Sequence, residues 1–254
     1  FINEQDVFGP FNDGFSPWAL RVPIIYPGEK NKGYRMAKRD TRAEIAAAFK
    51  ESVRKTSLSQ TRVADLISEL GVNRNTFYYH FGSKYDVAMW LFRTSLATKL
   101  RHDFPESQLV SAPFSSTGAG KDALPYYVHK ETGARTLDTS GYYKALVATV
   151  LEDPDFYRKL FTPREHEFIQ QVAETLIPAF KADIDFILDG RYMPDETKAL
   201  LADSCAHQAI SLVEFFLVNR GSTQTLLDEH MNPFWNIIQE SLYTAIQEHP
   251  INRF

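Results

Sequence analysis

Within twelve residues the chain sets out Asn73, Arg74, Asn75, Thr76, Tyr78, Tyr79, His80 and, after Gly82 and Ser83, Lys84. These side chains match the edges and backbone of a nucleic acid. Arginine can donate two hydrogen bonds to guanine in the major groove, asparagine can exchange two with adenine, and threonine can meet a thymine methyl. A good bidentate pair of this kind is worth about 1–3 kcal/mol of base discrimination. Tyrosine and histidine donors, a lysine ammonium and the N-terminus of a following helix suit phosphate oxygens. Interleaved with them, Phe77 and Phe81 stand four apart and so share one helical face, the side that anchors rather than reads.

Those residues need helices to hold them. Thr41 with Glu44 reads as a capping box, and Ile45, Ala48, Phe49 and Val53 then supply an apolar stripe for a helix that ends near Lys55. A second helix is expected from about Thr61 to Leu70, with Val63, Leu66, Ile67 and Leu70 at helical spacing. Gly71 stands where a left-handed helix cap needs glycine. Asn73 caps the third helix and Gly82 stops it. Ser83 with Asp86 forms another capping box and opens a long helix to about His102. An isolated Tyr-Tyr-His-Phe usually belongs to a core or an interface, because aromatics bury large areas. Here the helix-Gly-Val-helix arrangement, the positive setting and the immediate helix restart favour DNA.

Arg62-Val-Ala-Asp-Leu-Ile67, Gly71-Val-Asn-Arg74, Thr76-Phe-Tyr-Tyr-His-Phe81 and Ser83-Lys-Tyr-Asp86 together resemble the DNA-binding domain of the TetR family of bacterial transcriptional regulators. The resemblance spans residues 41–92, about a fifth of the chain. The Asn-Arg-x-Thr-Phe-Tyr-Tyr-His-Phe version is similar to the subgroup that includes regulators of dihydroxyacetone kinase operons. It implies an all-α protein: a three-helix helix-turn-helix domain at 36–86, then a larger helical domain at 87–254 that binds a small-molecule effector and dimerises. It also implies a homodimer on a near-palindromic double-stranded operator, with third helices in successive major grooves. Arg74, Asn75 and Thr76 would face bases, and Tyr78, Tyr79, His80 and Lys84 the backbone. The family usually has Thr-Thr at 61 and 62. Arg62 stands in the second place here, so Arg62 adds a phosphate or base contact and Thr61 is expected to cap helix two; with Asn73 they complete the expected DNA-binding set. A repressor is expected. The alternative is an accessory protein of the same fold that binds a metabolite and a partner regulator, and such a protein would be expected to have lost these reading residues.

Charge follows the same division. Residues 36–100 hold eleven basic and six acidic side chains, whereas 101–254 hold thirteen basic and twenty-two acidic, within an overall charge of −4. A basic segment on an acidic body is the footprint of a protein that approaches a polyanion with one end. Residues 1–35 are rich in aromatics, proline and glycine and are expected to be an irregular arm. Met36-Ala-Lys-Arg reads like a natural start, which makes that arm an upstream extension. Residues 104–139, rich in Pro, Gly and Ser, are expected to be a long loop, followed by helices near 140–151, 156–161, 164–188, 195–219 and 232–248; no strand is expected. In relatives the last two long helices build a four-helix dimer bundle.

One cysteine excludes a disulfide framework, and the sequence shows no signal peptide and no apolar run of membrane-spanning length, so a cytoplasmic protein without a membrane partner is expected. Enzyme chemistry finds no support. His166-Glu167 starts like a zinc-protease motif, but Gln170 stands where the second histidine belongs. Gly118-Ala-Gly120-Lys121 lacks the spacing and hydroxyl of a phosphate loop. Cys205 and His207, two apart on a helix, point to different sides. Asp153 and Asp155 around Pro154 read as a loop and helix cap. No metal and no cofactor are expected, and no cofactor-binding residues stand out; Arg158 or His207 is a candidate to meet an anionic effector.

Overall fold

The computed structural model describes residues 40–114, 123–219, 240, 244 and 246. The arm at 1–35 therefore lies outside the described residues, and so does most of the helix expected at 232–248, of which 240, 244 and 246 are helical. Helix α1 (Thr41–Lys55) is capped one residue earlier than expected. Asp40 accepts a hydrogen bond from the Ala43 N–H, so the capping box expected of Thr41 and Glu44 is not what starts it. Helix α2 (Val63–Leu70) ends at Gly71, whose φ of 61° lets Val72 N–H reach back to the Ile67 carbonyl and close the turn. Helix α3 (Arg74–His80) starts with the Asn73 side chain accepting from Asn75 N–H, and α4 (Lys84–Asp103) starts with the expected Ser83–Asp86 capping box.

Strands replace the expected loop. A 3-10 turn at Glu106–Gln108 leads into β1 (Leu109–Pro113), which pairs antiparallel with β2 (Ala123–Val128) across a bulge between Val110 and Ser111. A second small hairpin joins β3 (Glu131–Gly133) to β4 (Thr136–Leu137). The cause is tertiary. Pro125 through Val128 are all buried, so β2 shows no polar-apolar alternation. Helices α5 (Ser140–Leu151), α6 (Pro154–Leu160), α7 (His166–Leu188) and α8 (Asp195–Val218) follow, and α6 begins earlier than expected because Asp153 caps it through Phe156 N–H. The helical class stands, with hairpins set into it.

Aromatic rings fill the core where α4 meets the later helices. Phe92 meets Tyr157, Phe161 and Phe168 edge-on, and Tyr127 packs 4.4 Å from Tyr142 and 5.1 Å from Phe180. By length and composition α8 is the described helix apolar enough to cross a membrane, contrary to the reading that no such run exists; half of that window is buried within this protein. Its two-sided burial, from Ala202 to Leu217, fits a helix at the centre of the body.

Helix α6 and the 3-10 turn that follows it tie α1 and the α1–α2 connection to the rest. Asp153 pairs with Lys50 and Arg54 of α1, both at 2.6 Å. Lys159 donates to the carbonyls of Arg54 and Thr56, and buried Glu165 accepts from Ser59 N–H at 2.9 Å. Burial pushes the Asp153 carboxyl up, but hydrogen bonds and charge from Lys50 and Arg54 outweigh it and hold the pKa below the usual 3.8. A depressed carboxylate pKa contributes stability that is present above 3.8 and lost as pH falls through the lower folded value. Asp153→Asn is expected to cost about 1–2 kcal/mol at pH 7, between exposed and buried pairs. The difference from wild type should close as pH falls below 3.8, measured by urea denaturation across pH.

Candidate nucleic-acid interface

Helix α3 has seven residues, roughly 10 Å of helix, which suits a major groove about 12 Å wide. Phe77 and Phe81 lie fully inside and fix its inner face. The opposite side is open. Asn73, Arg74 and Asn75 are exposed, Tyr78 and Tyr79 are 41% and 59% exposed, and Thr76 and His80 are half-buried. The Arg74 guanidinium sits 5.5 Å from the Tyr78 ring, which holds the longest side chain of the set along the helix without using up its donors. Burial, reinforced by the charge of Arg42, lowers the pKa of His80, while Asp40 acts the other way. Arg62 is exposed at the start of α2, where its backbone takes the cap position with no side-chain cap bond.

Two expected contacts face inward. Thr61 is buried and does not cap α2; its hydroxyl donates to the Ser57 carbonyl and lies 3.3 Å from Ser52 Oγ. Lys84 Nζ bonds the carbonyls of Leu58 and Ser59 at 2.8 Å and reaches Thr61 at 3.3 Å. A lysine given three carbonyls in one turn of chain is a clamp on the α1–α2 connection rather than a free phosphate ligand. The α4 N-terminus, expected to bind phosphate, carries its own Asp86 carboxylate, which accepts from Ser83 N–H. Sequence gave no sign of Arg42, whose guanidinium lies 5.0–5.5 Å from the rings of Phe81, Trp90 and Phe114, since these come from three separate segments.

The helical body holds polar groups of its own. Asp183 of α7, nearly buried, accepts from the Tyr127 hydroxyl at 2.6 Å and contacts His129 Nδ1 at 2.7 Å. Burial raises its pKa against the lowering effect of those two partners. Arg158 and His207, the expected effector contacts, are used elsewhere. Arg158 donates to the Leu217 carbonyl and pairs with Asp155, and His207 lies exposed against Asp203. Cys205 is buried apart from it, with its thiol pushed up to about 11 by burial. Among the described residues no His, Cys, Asp and Glu cluster is arranged to hold a metal ion.

Residues 45–88 match the family described as bacterial regulatory proteins, tetR family. The chain is similar to the dihydroxyacetone kinase operon activator DhaS, at 15% identity over 82% of this chain and 97% of that one, with a TM-score of 0.41. It is also similar to a TetR family transcriptional regulator from Chloroflexus aurantiacus, at 16% identity over 83% and 90% of the two chains, with a TM-score of 0.32. No curated protein gives a significant match. The reading helix, its caps and its anchors all lie inside the matched segment, so residues 45–88 carry the helix-turn-helix segment described for the bacterial regulatory proteins of the tetR family.

Proposed function

We propose that the chain is a cytoplasmic homodimeric repressor whose two α3 helices read successive major grooves of a near-palindromic operator, and that a small-molecule effector releases it. Residues 36–86 read the DNA, and residues 87–254 bind the effector and dimerise. The observation that carries this reading is the exposed row Arg74, Asn75 and Tyr78 on a helix fixed from behind by Phe77 and Phe81. Base contacts are assigned to Arg74, Asn75 and Thr76. Backbone contacts are assigned to Asn73, Tyr78, Tyr79, His80 and Arg62. Thr61 and Lys84 act behind them by shaping the α1–α2 connection. An accessory protein that has abandoned DNA has no use for such a row. Repression needs only that the bound dimer exclude polymerase from an overlapping promoter.

Support for the dimer comes from α8. Leu200, Ser204, His207, Ser211, Phe215 and Val218 are all exposed and recur at spacings of three and four, so they lie on one helical face. Leu200, Phe215 and Val218 are 66%, 52% and 74% exposed, an apolar face that a second copy would cover. The small serines between them permit close helix approach.

In mobility shifts on DNA upstream of its own gene, Arg74→Ala is expected to lower specific affinity about 10- to 100-fold, the range of one lost base contact, with little change in non-specific binding. Unchanged sequence preference would remove Arg74 from the base-reading set. For the dimer, Phe215→Asp with Val218→Asp is expected to give a monomer in sedimentation and to abolish binding to the full operator. A dimer that persists would move the interface off α8.

A further inference from the structure

Arg93, on α4 at 4% exposure, is the buried cation among the described residues. Its Nη2 donates to the carbonyls of Ala112 and Leu124, at 3.1 and 2.8 Å, at the facing ends of β1 and β2. Its guanidinium lies 5.1 Å from the Tyr126 ring. Carbonyl dipoles and a ring face do not neutralise the charge, and among the described residues no carboxylate pairs with it. Its Nε–H, also buried, has no acceptor. On α5, Tyr142 is fully buried 4.4 Å from the ring of Tyr127, the neighbour on β2 of the Tyr126 that Arg93 meets, and its hydroxyl has no partner either. Asp183 bonds Tyr127 and His129 instead, and makes no hydrogen bond to the Arg93 Nε–H or the Tyr142 hydroxyl. A buried ion without a counter-charge and a buried hydroxyl without a partner are each costly, and proteins rarely keep both in one place without use.

We propose that Arg93 and Tyr142 form the head-group site for the effector, and that the effector is a small organic carboxylate. The proposal rests on the reading of the chain as an effector-controlled regulator. One fixed positive charge and two idle donors suit the single charge and two oxygens of a carboxylate. A phosphate monoester would bring nearly twice the charge and more acceptors than the idle donors can meet. Tyr126, Tyr127, Tyr143 and Phe180 surround this corner, so the rest of the ligand is apolar or aromatic. The site also has a route to the DNA-reading end. Arg93 and Lys84 belong to the same helix, nine residues or about 13 Å apart, and Lys84 grips the α1–α2 connection. A ligand that draws Arg93 away from the hairpin carbonyls shifts α4 as a rigid rod, and Lys84 with it.

Calorimetry and thermal shift on the full chain, at constant ionic strength, with acetate, pyruvate, benzoate, phenylacetate and indole-3-acetate, test the site directly. Benzamide, benzyl alcohol and inorganic phosphate serve as the uncharged and phosphate controls. At least one apolar carboxylate is expected to bind and to raise the melting temperature while its amide does not, and Tyr142→Phe should weaken that binding roughly 10- to 100-fold, the range of one charge-assisted hydrogen bond. Should Tyr142→Phe fail to fold, Arg93→Lys, which keeps the charge and withdraws the Nε–H, is read in the same way. The assignment is overturned if no carboxylate binds, if amide and acid bind alike, if phosphate alone binds, or if the variant binds as wild type. Operator binding by the untreated protein is measured separately: its absence would sink the regulator reading, whereas operator binding without carboxylate binding would sink the head-group site alone.

Discussion

A seven-residue helix closes too few internal hydrogen bonds to persist in water, so α3 exists only because Phe77 and Phe81 are held in the core. Full burial of an aromatic side chain is worth about 1.5–3 kcal/mol, and here that energy also fixes orientation, because a helix pinned along one face by residues four apart cannot roll. Everything exposed on α3 inherits its aim from those two rings. The caps then set the ends. Asn73 holds one end, and the Phe81 N–H bond to the Phe77 carbonyl closes the other before Ser83 starts α4.

From that anchor the connections run outward through two elements. Helix α4 begins beside α3 and continues into the aromatic core around Phe92, so the reading unit and the body share one continuous rod. Helix α6 supplies the second tie, with Asp153 and Lys159 on α1 and Arg158 on the end of α8. The end of α8 is thus joined to α1 through one short helix, and the hairpin is joined to the α1–α2 connection through α4 and Lys84.

The reading helix was legible in the sequence because its signals are local: Gly71 at a left-handed position, Asn73 as a cap, Ser83 and Asp86 as a box, and two phenylalanines four apart. What was not legible depends on residues far apart in the chain. Strand β2 is hidden because burial of Pro125 to Val128 erases alternation, and a proline inside the run argues against a strand. Thr61 and Lys84 look like surface donors until the fold brings the carbonyls of Ser57, Leu58 and Ser59 within reach. Arg158 likewise turned to Leu217 rather than to an interior site. Arg93 carried no motif, and only the hairpin that buries it makes it notable. Local chemistry marked the candidate nucleic-acid surface, and long-range packing decided which of its donors stay exposed.

Across the seam between the reading unit and the body run polar contacts that are individually weak. The Asp153 pairs are partly exposed, and Lys159 reaches its carbonyls across solvent-facing ground. Partly exposed ion pairs contribute about 0–1 kcal/mol each, so these polar contacts together hold only a few kcal/mol. Coupling free energies between two sites on a protein typically run about 1–3 kcal/mol, which is the same scale. Beneath these polar contacts one apolar core runs continuously from Ile45 of α1 to Leu217 of α8. The polar contacts are the part of the seam on that coupling scale, while Phe77 and Phe81 keep α3 itself in place.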